Sequence, residues 1–460
     1  MALIKSISGI RGTIGGKPGE SLSPLDVVKY TSAFGKRIIT EENKKIVIGR
    51  DGRISGPMIA ELVIQTLISI GADVVDLDLS TTPTVEYAVT EEKAAGGIII
   101  TASHNPKEWN ALKLLNEKGE FISAELGALI LQDAEEGNMN FANVDKLGTY
   151  SKNDSYLDKH LDAIVDHPLV NKLIIENKKL KVVVDPVNST GAIFVPALLK
   201  KLGINEQDIV VLNEEVNGKF AHNPEPLPQH LSQLSAAVIS HKADIGISVD
   251  PDVDRLVLVC EDGSMFGEEY TLVAVADYVL GKRKGNTVSN LSSSRALKDI
   301  TEKHEGTYFP AAVGEVNVVA KMKEVDAVIG GEGNGGIIVP DFHYGRDALI
   351  GIALILTHLA QSGKSIKQLR SGYPDYFISK NKIELAPGTD LNGVFEKLKA
   401  KYKSNPLNTI DGLRIEFDND WVHLRASNTE PIIRIIAESN FETTANNIAN
   451  KLIKDIQELI

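Results

Sequence analysis

Short apolar runs alternate with segments of helical spacing along most of the chain. Runs of about five mostly apolar residues predict strands covered on both faces, and apolar residues three and four positions apart predict helices. In the first part, this pattern gives strands at 45–49, 73–79 and 97–101, and helices at 55–70 and 84–94. Such alternation is typical of a parallel or mixed sheet covered by helices.

The same order of elements occurs twice more before the pattern changes. It predicts strands at 181–185, 208–212, 244–249, 287–291 and 327–329, and helices at 191–201, 268–280, 295–303 and 347–360. Residues 371–380 are rich in Gly, Pro, Tyr and Ser. Beyond them we predict a strand at 382–385, a helix at 391–402, three strand-like runs between 410 and 438, and a helix at 442–459. The prediction is three similar α/β domains with mixed sheets, followed by a C-terminal α+β domain.

Length and composition agree with a globular protein of several domains. The chain has 460 residues, 43% of them hydrophobic and 24% charged, and one domain takes roughly 150 residues. Its 49 basic residues against 62 acidic ones give a net charge of −13, which argues against nucleic-acid binding. The sequence has no apolar run long enough to span a membrane and no signal-peptide pattern at its start, so we expect a cytoplasmic protein.

A polar motif, Thr-Ala-Ser-His-Asn-Pro at 101–106, follows the predicted strand 97–101. Ligands of open α/β sheets gather at the carboxyl ends of strands, so we expect Ser103 at a crevice. Lys113 lies in a second short strand, and a hairpin would return it to Ser103, where an amine can assist proton transfer or balance phosphate charge. Taken alone, the motif favours a polar turn with a surface lysine.

Three carboxylates, Asp250, Asp252 and Asp254, lie between two apolar runs. Alternate residues of an extended chain point to one side, so these side chains are predicted to converge at a strand end. Their repulsion favours a cation among them, and oxygen ligands suit Mg²⁺. The spacing also matches the start of an EF-hand, but Arg255 stands where that loop needs glycine. A solvated acidic turn is disfavoured by the apolar flanks.

Two later loops offer groups for a sugar and for a phosphate. Residues 330–336 are Gly-Gly-Glu-Gly-Asn-Gly-Gly after a predicted buried strand, and Glu332 and Asn334 can bond neighbouring sugar hydroxyls. The alternative is a tight turn. The last loop combines arginines, hydroxyls and an amide in a plausible phosphate cradle, or else forms a surface turn; its residues are Arg425, Ser427, Asn428, Thr429 and, further on, Arg434.

Taken together, these motifs resemble those of the α-D-phosphohexomutase superfamily, which contains phosphoglucomutases, phosphomannomutases and phosphoglucosamine mutases. TASHNP and DPDVDR are highly specific in this order. Smaller matches extend the resemblance over nearly the whole chain: SGIRG near residue 8, GRDGRISG at 49–56, NPEP at 223–226, GRDA at 345–348 and RASNTEP at 425–431.

The resemblance implies a phosphosugar mutase, an isomerase that interconverts hexose 6-phosphate and hexose 1-phosphate by intramolecular phosphotransfer. Ser103 would carry a phosphoryl group, with hexose 1,6-bisphosphate as intermediate or activator. Mg²⁺ would be held by the phosphate on Ser103 and by the three aspartates. Four domains would surround a central cleft. Residues 1–150 would contain the phosphoserine, and 151–256 the metal loop, by which we mean residues 250–255. Residues 257–372 would contain the sugar loop, residues 330–336, and 373–460 the phosphate site.

The resemblance also assigns roles to further residues. Arg11, His104 and Lys113 match positions for charge stabilisation and proton transfer beside the phosphoserine. Arg255 is expected to face the substrate, and Glu332 to contact sugar hydroxyls. The phosphate grip would be formed by the last-loop residues Arg425, Ser427, Asn428, Thr429 and Arg434.

Two departures from the family pattern bear on the substrate. Many members have Ser and His where this chain has Asn334 and Gly336. Glu315 follows Val313 and Gly314 where other members have His or Asp, and it could serve as an acid or base. The glycine-rich loop resembles one branch of phosphoglucosamine mutases that also contains dual phosphomannomutase/phosphoglucomutase enzymes. We therefore favour glucosamine phosphate, with mannose or glucose phosphate as the alternative.

Two other classes of protein are compatible with parts of the pattern. A serine beside metal-binding aspartates also suits a metal-dependent phosphatase, although a phosphatase needs no separate sugar loop or distant phosphate grip. A non-catalytic binding protein for sugar phosphates is disfavoured, because Ser103 and all three aspartates are present.

Overall fold

The computed structural model of the chain describes residues 2–6, 9–137, 139–386, 389–426 and 432–459. These residues form four sheets in sequence along the chain. We call each sheet with its helices a unit and number the units from the N-terminus.

The first unit is a mixed seven-stranded sheet with strand order β1-β2-β6-β5-β3-β4-β7. Strand β3 runs parallel to β4 and β5, whereas β5 and β6 form an antiparallel hairpin. Apolar clusters cover both faces of the sheet. The strands are β1 (Leu3–Ser6), β2 (Gly9–Thr13), β3 (Lys45–Arg50), β4 (Asp73–Leu79), β5 (Gly96–Ile100), β6 (Trp109–Leu115) and β7 (Tyr150–Lys152), and the helices are α1 (Pro24–Ile38), α2 (Gly56–Ser69), α3 (Thr82–Glu91) and α4 (Ala124–Glu136).

The second unit has four strands in the order β11-β10-β8-β9. Strand β10 runs parallel to β8 and antiparallel to β11. The strands are β8 (Val182–Asp185), β9 (Ile209–Val211), β10 (Ile245–Val249) and β11 (Leu256–Cys260), and the helices are α5 (Tyr156–Val165), α6 (Lys172–Lys178), α7 (Gly191–Lys201) and α8 (Ser232–His241).

The third unit repeats this plan with the strand order β13-β12-β14-β15. Again one outer strand, β15, is antiparallel to its neighbour, and the others are parallel. The strands are β12 (Asn286–Asn290), β13 (Tyr308–Ala311), β14 (Ala327–Glu332) and β15 (Gly336–Ile338), and the helices are α9 (Glu268–Lys282), α10 (Ala296–Lys303), α11 (Glu315–Glu324), α12 (Ala348–Ser362) and α13 (Ile366–Arg370).

Helix α12 joins the cores of the second and third units. Its sequence is apolar around nearly the whole circumference, the pattern of a helix buried on all sides. It packs on α5, α6 and α7 of the second unit and on α9 and β15 of the third. One apolar cluster therefore runs from Leu161 in α5 to Tyr373 beyond α13.

The fourth unit is an antiparallel five-stranded sheet, ordered β16-β20-β19-β18-β17, with two helices. It has an apolar cluster of its own. Its strands are β16 (Phe377–Glu384), β17 (Leu407–Asn408), β18 (Leu413–Glu416), β19 (Trp421–Ala426) and β20 (Ile432–Ser439), and its helices are α14 (Leu391–Lys401) and α15 (Glu442–Leu459).

The predicted fold class, three α/β domains with mixed sheets and a C-terminal α+β domain, is confirmed. Strand β16 begins at Phe377, inside the segment 371–380 that composition marked as a break. The division of the chain at 150, 256 and 372 stays a prediction. Because β10 pairs with β11 across residue 256, we propose that the second unit extends at least to Cys260.

Among the described residues, no helix is both long enough and apolar enough to cross a membrane.

Candidate active site

Ser103 lies in the turn that follows β5, at the carboxyl end of the strand. Its backbone φ of 48° is in the left-handed region, and its amide donates to the Thr101 hydroxyl at 2.9 Å. The side chain is buried, and its Oγ donates to Asp250 Oδ2 at 2.7 Å. The turn thus directs the serine hydroxyl of the first unit at a carboxylate of the second.

A buried arginine that sequence reasoning did not single out holds this turn in place. Arg53 donates to the backbone oxygens of Ser103 and Asn105, both at 2.6 Å. It also donates to the backbone oxygens of Pro106 and Trp109 at 2.8 and 2.9 Å. Its Nε lies 3.0 Å from Asp51 Oδ2. The available signal was the GRDGRISG match at 49–56, which contains both partners of this ion pair.

The three aspartates converge as predicted, but the geometry behind the prediction is wrong. The segment after β10 is a loop rather than an extended strand, with Val253 in the left-handed region at φ 62°. The amides of Asp254 and Arg255 fold back and donate to Asp250 Oδ1, each at 3.1 Å. Backbone donors that turn toward one carboxylate, not strand alternation, therefore gather the side chains.

Lys113 lies in the predicted hairpin, formed by β5 and β6, and it contacts the aspartates; its proximity to Ser103 stays a prediction. It pairs across the hairpin with Ile99. Its Nζ lies 2.6 Å from Asp252 Oδ2 and 3.1 Å from Asp254 Oδ2. Burial alone lowers the pKa of this lysine, but the charges of the two aspartates outweigh it and raise the pKa above its ordinary value.

The donor set fits a small oxygen-liganded cation. Asp250, Asp252 and Asp254 are fully buried, and one oxygen of each lies within 4.8 Å of the others. Asp252 Oδ1 and Asp254 Oδ1 have no hydrogen-bond partner among the described residues. Burial and the two neighbouring carboxylates raise the pKa of Asp250 well above its usual range. Lys113 and Arg346 offset part of this charge, and three carboxylates buried so closely remain costly unless a further cation lies among them.

Arg11 and His104 lie beside the serine turn. Arg11 on β2 donates to the Asn105 side chain at 2.7 Å, and its pKa is lowered by burial. His104 Nδ1 lies 3.4 Å from Ser103 Oγ. Burial, and then the guanidinium groups of Arg255 and Arg11, lower the pKa of His104 well below its ordinary value. The imidazole is therefore neutral near pH 7 and can accept a proton.

Glu332 and Asn334 lie at the β14–β15 turn of the third unit. Asn334 Oδ1 accepts from the amide of Gly336 at 3.2 Å, which closes the turn. Gly335 has a φ of 86°, and a Cβ there would lie 2.4 Å from the Leu256 carbonyl oxygen. The glycine therefore lets the sugar loop pack directly against the start of β11.

Arg346 connects the metal loop to the sugar loop, and sequence reasoning gave it no role. Its Nη2 lies 2.7 Å from Asp254 Oδ2, and its Nη1 lies 2.7 Å from Glu332 Oε2. Its Nε lies 3.0 Å from Glu315 Oε2. The signal was the GRDA match at 345–348, but nothing in the local pattern indicates that this arginine is buried.

Glu315 begins α11 immediately after Gly314. Burial raises the pKa of Glu315, although the Arg346 guanidinium opposes this. Gly314 has a φ of 112°, and its amide donates to Glu332 Oε1 at 3.3 Å. The glycine conformation thus turns one amide of this loop toward the sugar loop.

Arg255 is mostly buried, with Nη1 3.7 Å from Glu225 Oε1.

Basic side chains of the fourth unit lie opposite one another on neighbouring strands. Arg434 on β20 pairs with Arg425 on β19 and with Lys382 on β16. Three cations in one cross-strand row repel one another and favour an anion between them. Asp411 accepts from Arg425 Nε and, at 3.0 Å, from the amide of Val313 in the third unit. The predicted phosphate ligands Ser427, Asn428 and Thr429 lie outside the described residues.

Four domain families match the chain in order. They are described as phosphoglucomutase/phosphomannomutase alpha/beta/alpha domains I, II and III and the C-terminal domain, and they match residues 3–140, 156–263, 267–376 and 381–454.

Whole-length similarity extends to curated proteins and to a solved structure. A phosphoglucomutase/phosphomannomutase of Thermococcus kodakarensis is 34% identical over 457 residues, which cover 98% of each chain. A phosphoglucosamine/phosphogalactosamine mutase of Sulfurisphaera tokodaii is 32% identical over 464 residues, covering 99% of this chain and 100% of the relative. The crystal structure of a phosphoglucomutase/phosphomannomutase family protein from Burkholderia thailandensis superposes with a TM-score of 0.86 at 26% identity, covering 99% of this chain and 98% of that one.

Proposed function

The chain belongs to the phosphoglucomutase/phosphomannomutase family and is a phosphohexomutase, and from this premise we propose that it interconverts glucosamine 6-phosphate and glucosamine 1-phosphate. The observation that carries the reaction type is the buried contact of Ser103 Oγ with Asp250, beside Lys113 and the other two aspartates, whereas the substrate rests on the glycine-rich loop.

Ser103 is the proposed phosphoryl carrier. In the first half-reaction the free hydroxyl of the bound hexose phosphate attacks the phosphorus on Ser103. The new O–P bond forms as the Ser103 Oγ–P bond breaks, the hydroxyl proton passes to a base, and Ser103 Oγ takes up a proton. The product is hexose 1,6-bisphosphate. In the second half-reaction, after the intermediate has turned around, Ser103 Oγ attacks the other phosphorus and gives its proton to a base. The new Oγ–P bond forms as the sugar O–P bond breaks, and the sugar oxygen takes up a proton.

The three aspartates and the phosphate on Ser103 are proposed to hold Mg²⁺, which prefers oxygen ligands. A bound Mg²⁺ would supply positive charge to the phosphoryl oxygens. The chain itself contributes Lys113, whose buried ammonium remains charged between two aspartates and neutralises the carboxylates on the side facing the hairpin. Phosphoryl transfer depends mostly on positioning and charge neutralisation of this kind.

His104 and Glu315 are the proposed groups for proton movement. His104 is neutral at physiological pH and lies beside Ser103 Oγ, so it can accept or return the proton of the serine hydroxyl. The raised pKa of Glu315 lets this carboxyl hold a proton closer to neutral pH than an ordinary glutamate does. Arg11 fixes the Asn105 side chain next to the carrier and adds positive charge.

Binding of the substrate is assigned to the other three units. We propose that Glu332 and Asn334 contact the sugar hydroxyls and that Arg255 and the Gly314 amide complete this surface. The phosphate that is not being transferred would lie on Arg425 and Arg434, whose mutual repulsion it would relieve. Ser427, Asn428 and Thr429, which lie outside the described residues, remain part of this proposal.

The substrate preference rests on the glycine-rich loop and is supported by one named relative. The Sulfurisphaera tokodaii protein is named for amino-sugar phosphates, whereas the Thermococcus kodakarensis protein is named for glucose and mannose phosphates. Glucose or mannose phosphate is therefore the alternative substrate. A metal-dependent phosphatase is not favoured, because the comparisons name mutases over the whole length of the chain.

The decisive experiment compares kcat/KM on glucosamine 6-phosphate, glucose 1-phosphate and mannose 1-phosphate, with Mg²⁺ and a trace of the matching bisphosphate. We expect the highest value for glucosamine 6-phosphate. A comparable or higher value on either of the other two sugars would overturn the substrate assignment while leaving the reaction type intact. Release of inorganic phosphate at the rate of substrate loss would instead indicate a phosphatase.

The carrier is tested separately with Ser103→Ala. We expect turnover to fall by at least about 10⁴-fold, because the nucleophile is lost, with an unchanged circular dichroism spectrum. Ser240→Ala, on the exposed end of α8, is the matched control and should keep wild-type turnover. Substantial mutase activity in Ser103→Ala would mean that another residue carries the phosphoryl group.

A further inference from the structure

A second cluster of metal-ligating side chains lies behind the active site, where the first three units meet. It consists of His160 from α5, His343 from the loop before α12, and Asp347, which caps α12. Glu86 of α3 borders it from the first unit. His160, Asp347 and Glu86 are almost completely buried, and His343 is 10% exposed. None of these residues has a role in the proposed phosphoryl transfer.

The spacing of the ligand atoms matches a tetrahedral metal centre. His160 Nε2 lies 3.2 Å from Asp347 Oδ2, and His343 Nε2 lies 3.3 Å from the same oxygen. Metal–nitrogen and metal–oxygen bonds of ~2.0–2.1 Å place the corners of a tetrahedron about 3.3–3.4 Å apart. All three ligand atoms lie within 4.8 Å of one another, so one ion can reach all of them.

Several buried polar atoms here lack the partners that burial normally demands. His160 Nε2 and both carboxylate oxygens of Glu86 have no hydrogen-bond partner within the described ranges. Two buried carboxyl oxygens without partners, beside two histidines and an aspartate, are costly in an apolar setting unless further positive charge lies among them.

The outer nitrogen of His160 is held as in known metal sites. Metal-bound histidines usually donate their other ring N–H to a carboxylate or another oxygen. Here His160 Nδ1 lies 2.8 Å from the Thr84 hydroxyl, whereas His343 Nδ1, 3.5 Å from Glu86 Oε2, has no hydrogen-bond partner among the described residues. Asp347 accepts from the amides of α12 with Oδ1, which leaves Oδ2 directed at the two histidines.

We propose that His160, His343 and Asp347 bind a zinc-class transition-metal ion, with water as the fourth ligand. Two imidazoles and a carboxylate suit Zn²⁺ or Co²⁺ rather than Mg²⁺, which prefers oxygen. The site is separate from the three aspartates of the metal loop. Its ion would tie α5 to the start of α12, and it would fix the residue next to Arg346.

The test uses the full-length protein, stripped with a chelator and then saturated with Mg²⁺ so that the oxygen site is filled. Co²⁺ is added as the probe, and the visible absorption spectrum is recorded together with bound metal after dialysis. We expect one Co²⁺ per chain with the strong visible bands of a tetrahedral ion, displaceable by Zn²⁺. His160→Gln and His343→Gln should each lose this spectrum and most of the bound Co²⁺.

Two control variants make the result specific. His241→Gln, on the exposed end of α8, should bind Co²⁺ like the wild type. Asp252→Asn should keep the tetrahedral spectrum while losing mutase activity, which separates this site from the catalytic one. The proposal is overturned if the Mg²⁺-saturated wild type binds no tetrahedral Co²⁺, or if both histidine variants retain it. Should the variants fail to fold, the wild-type spectrum alone decides.

Discussion

Arg346 neutralises three buried carboxylates that come from different parts of the chain. Asp254 belongs to the metal loop, Glu332 to the sugar loop, and Glu315 to the start of α11. A planar guanidinium with five donors can serve all three at once, whereas the single ammonium of a lysine cannot. Stability and site geometry therefore depend on the same side chain.

We predict that Arg346→Met lowers the free energy of unfolding by about 3–5 kcal/mol, because it leaves buried carboxylates unpaired. Arg346→Lys should recover part of this loss but keep a lowered kcat/KM. Unfolding in guanidinium chloride measures the free energy of unfolding, and steady-state kinetics measure kcat/KM. Arg37→Met removes an arginine whose side chain is 35% exposed and whose single partner, Asp133, also lies near Lys36, and it should cost clearly less. An equal loss in the two methionine variants would contradict the assignment.

His222 links the stability of the second unit to pH. Its Nε2 lies 2.9 Å from Asp185 Oδ2, and its Nδ1 lies 2.8 Å from the Asn223 carbonyl oxygen. Both ring nitrogens thus face acceptors, which favours the protonated ring. Burial alone lowers the pKa of His222, but Asp185 outweighs it and raises the pKa above the ordinary 6.5.

A raised folded-state pKa stabilises the protein fully below pH 6.5, and this contribution is lost as pH rises through the folded-state value. We therefore predict that the unfolding free energy falls between pH 6 and pH 9 in the wild type and falls less in His222→Gln. Urea unfolding at several pH values measures both slopes. Asp185, whose pKa is lowered by His222, should cause a second loss of unfolding free energy, and this loss occurs only at acid pH. Parallel slopes for both proteins would refute the role of His222.

The sequence predicted the residues at strand ends but not those that brace them. Ser103, Lys113 and the three aspartates stand in dense polar motifs next to apolar strands, and the structure brings them together. Arg53 and Arg346 are single arginines in ordinary surroundings, where a solvent-exposed position is the default. Their burial is decided by carbonyl and carboxylate groups distant in sequence, which no local pattern reports.

At the scale of elements, the row of cations across β16, β20 and β19 is the feature with a measurable consequence. Arg434 faces Lys382 on one side and Arg425 on the other. Like charges directly opposite on neighbouring strands destabilise a sheet. The row of cations therefore lowers the stability of the sheet, and the same charges attract an anion to its surface.

We predict that Arg434→Gln stabilises the fourth unit by roughly 0.2–1 kcal/mol without added anions, since it removes the central charge. In the wild type, inorganic phosphate should raise the thermal midpoint, and in Arg434→Gln this increase should be much smaller. Thermal unfolding with and without phosphate provides the measurement. Lys454→Gln, exposed on α15, removes a charge elsewhere in the unit and should respond like the wild type. If phosphate raised the thermal midpoint of Arg434→Gln as much as that of the wild type, phosphate binding at this row of cations would be contradicted.

Helices and strands with strong periodicity were predictable nearly to the residue, as α7 and α15 show. Helix α1 was missed, although its capping box at Ser23 and Asp26 is a local start signal. Strand β16 was predicted only in part, because its pairing with β20 along eight residues overrides the Gly- and Pro-containing composition before it. Tertiary pairing, which no short window contains, accounts for that error.

At the scale of the whole molecule, the apolar cores divide the protein unevenly. The second and third units share one cluster through α12, whereas the fourth has its own. Contacts between the third and fourth units include polar ones such as Ser292 Oγ with His423 Nδ1 at 2.9 Å and the Arg295 amide with Glu438 at 3.0 Å. Polar interfaces between domains generally permit relative motion.

We predict that the fourth unit unfolds independently of the second and third. Leu354→Ala in α12 and Leu452→Ala in α15 both remove fully buried side chains, each at a cost of about 2–5 kcal/mol. The fluorescence of Trp421 in a Trp109→Phe background reports the fourth unit, and calorimetry reports the whole. Leu452→Ala should shift the Trp421 transition and Leu354→Ala should not. Equal shifts in the Trp421 signal would mean that the units unfold together.

The shared helix also has a consequence for synthesis on the ribosome. Apolar faces of α5 and α7 are covered by α12, which begins only at Ala348. At translation rates of ~5–20 residues per second, α12 is synthesised on the order of tens of seconds after α5 and α7, and their apolar faces stay uncovered for that time. During that interval the nascent chain exposes a patch that chaperones recognise. Folding of the second unit is therefore complete only after α12, which lies far downstream in the sequence, has left the ribosomal exit tunnel.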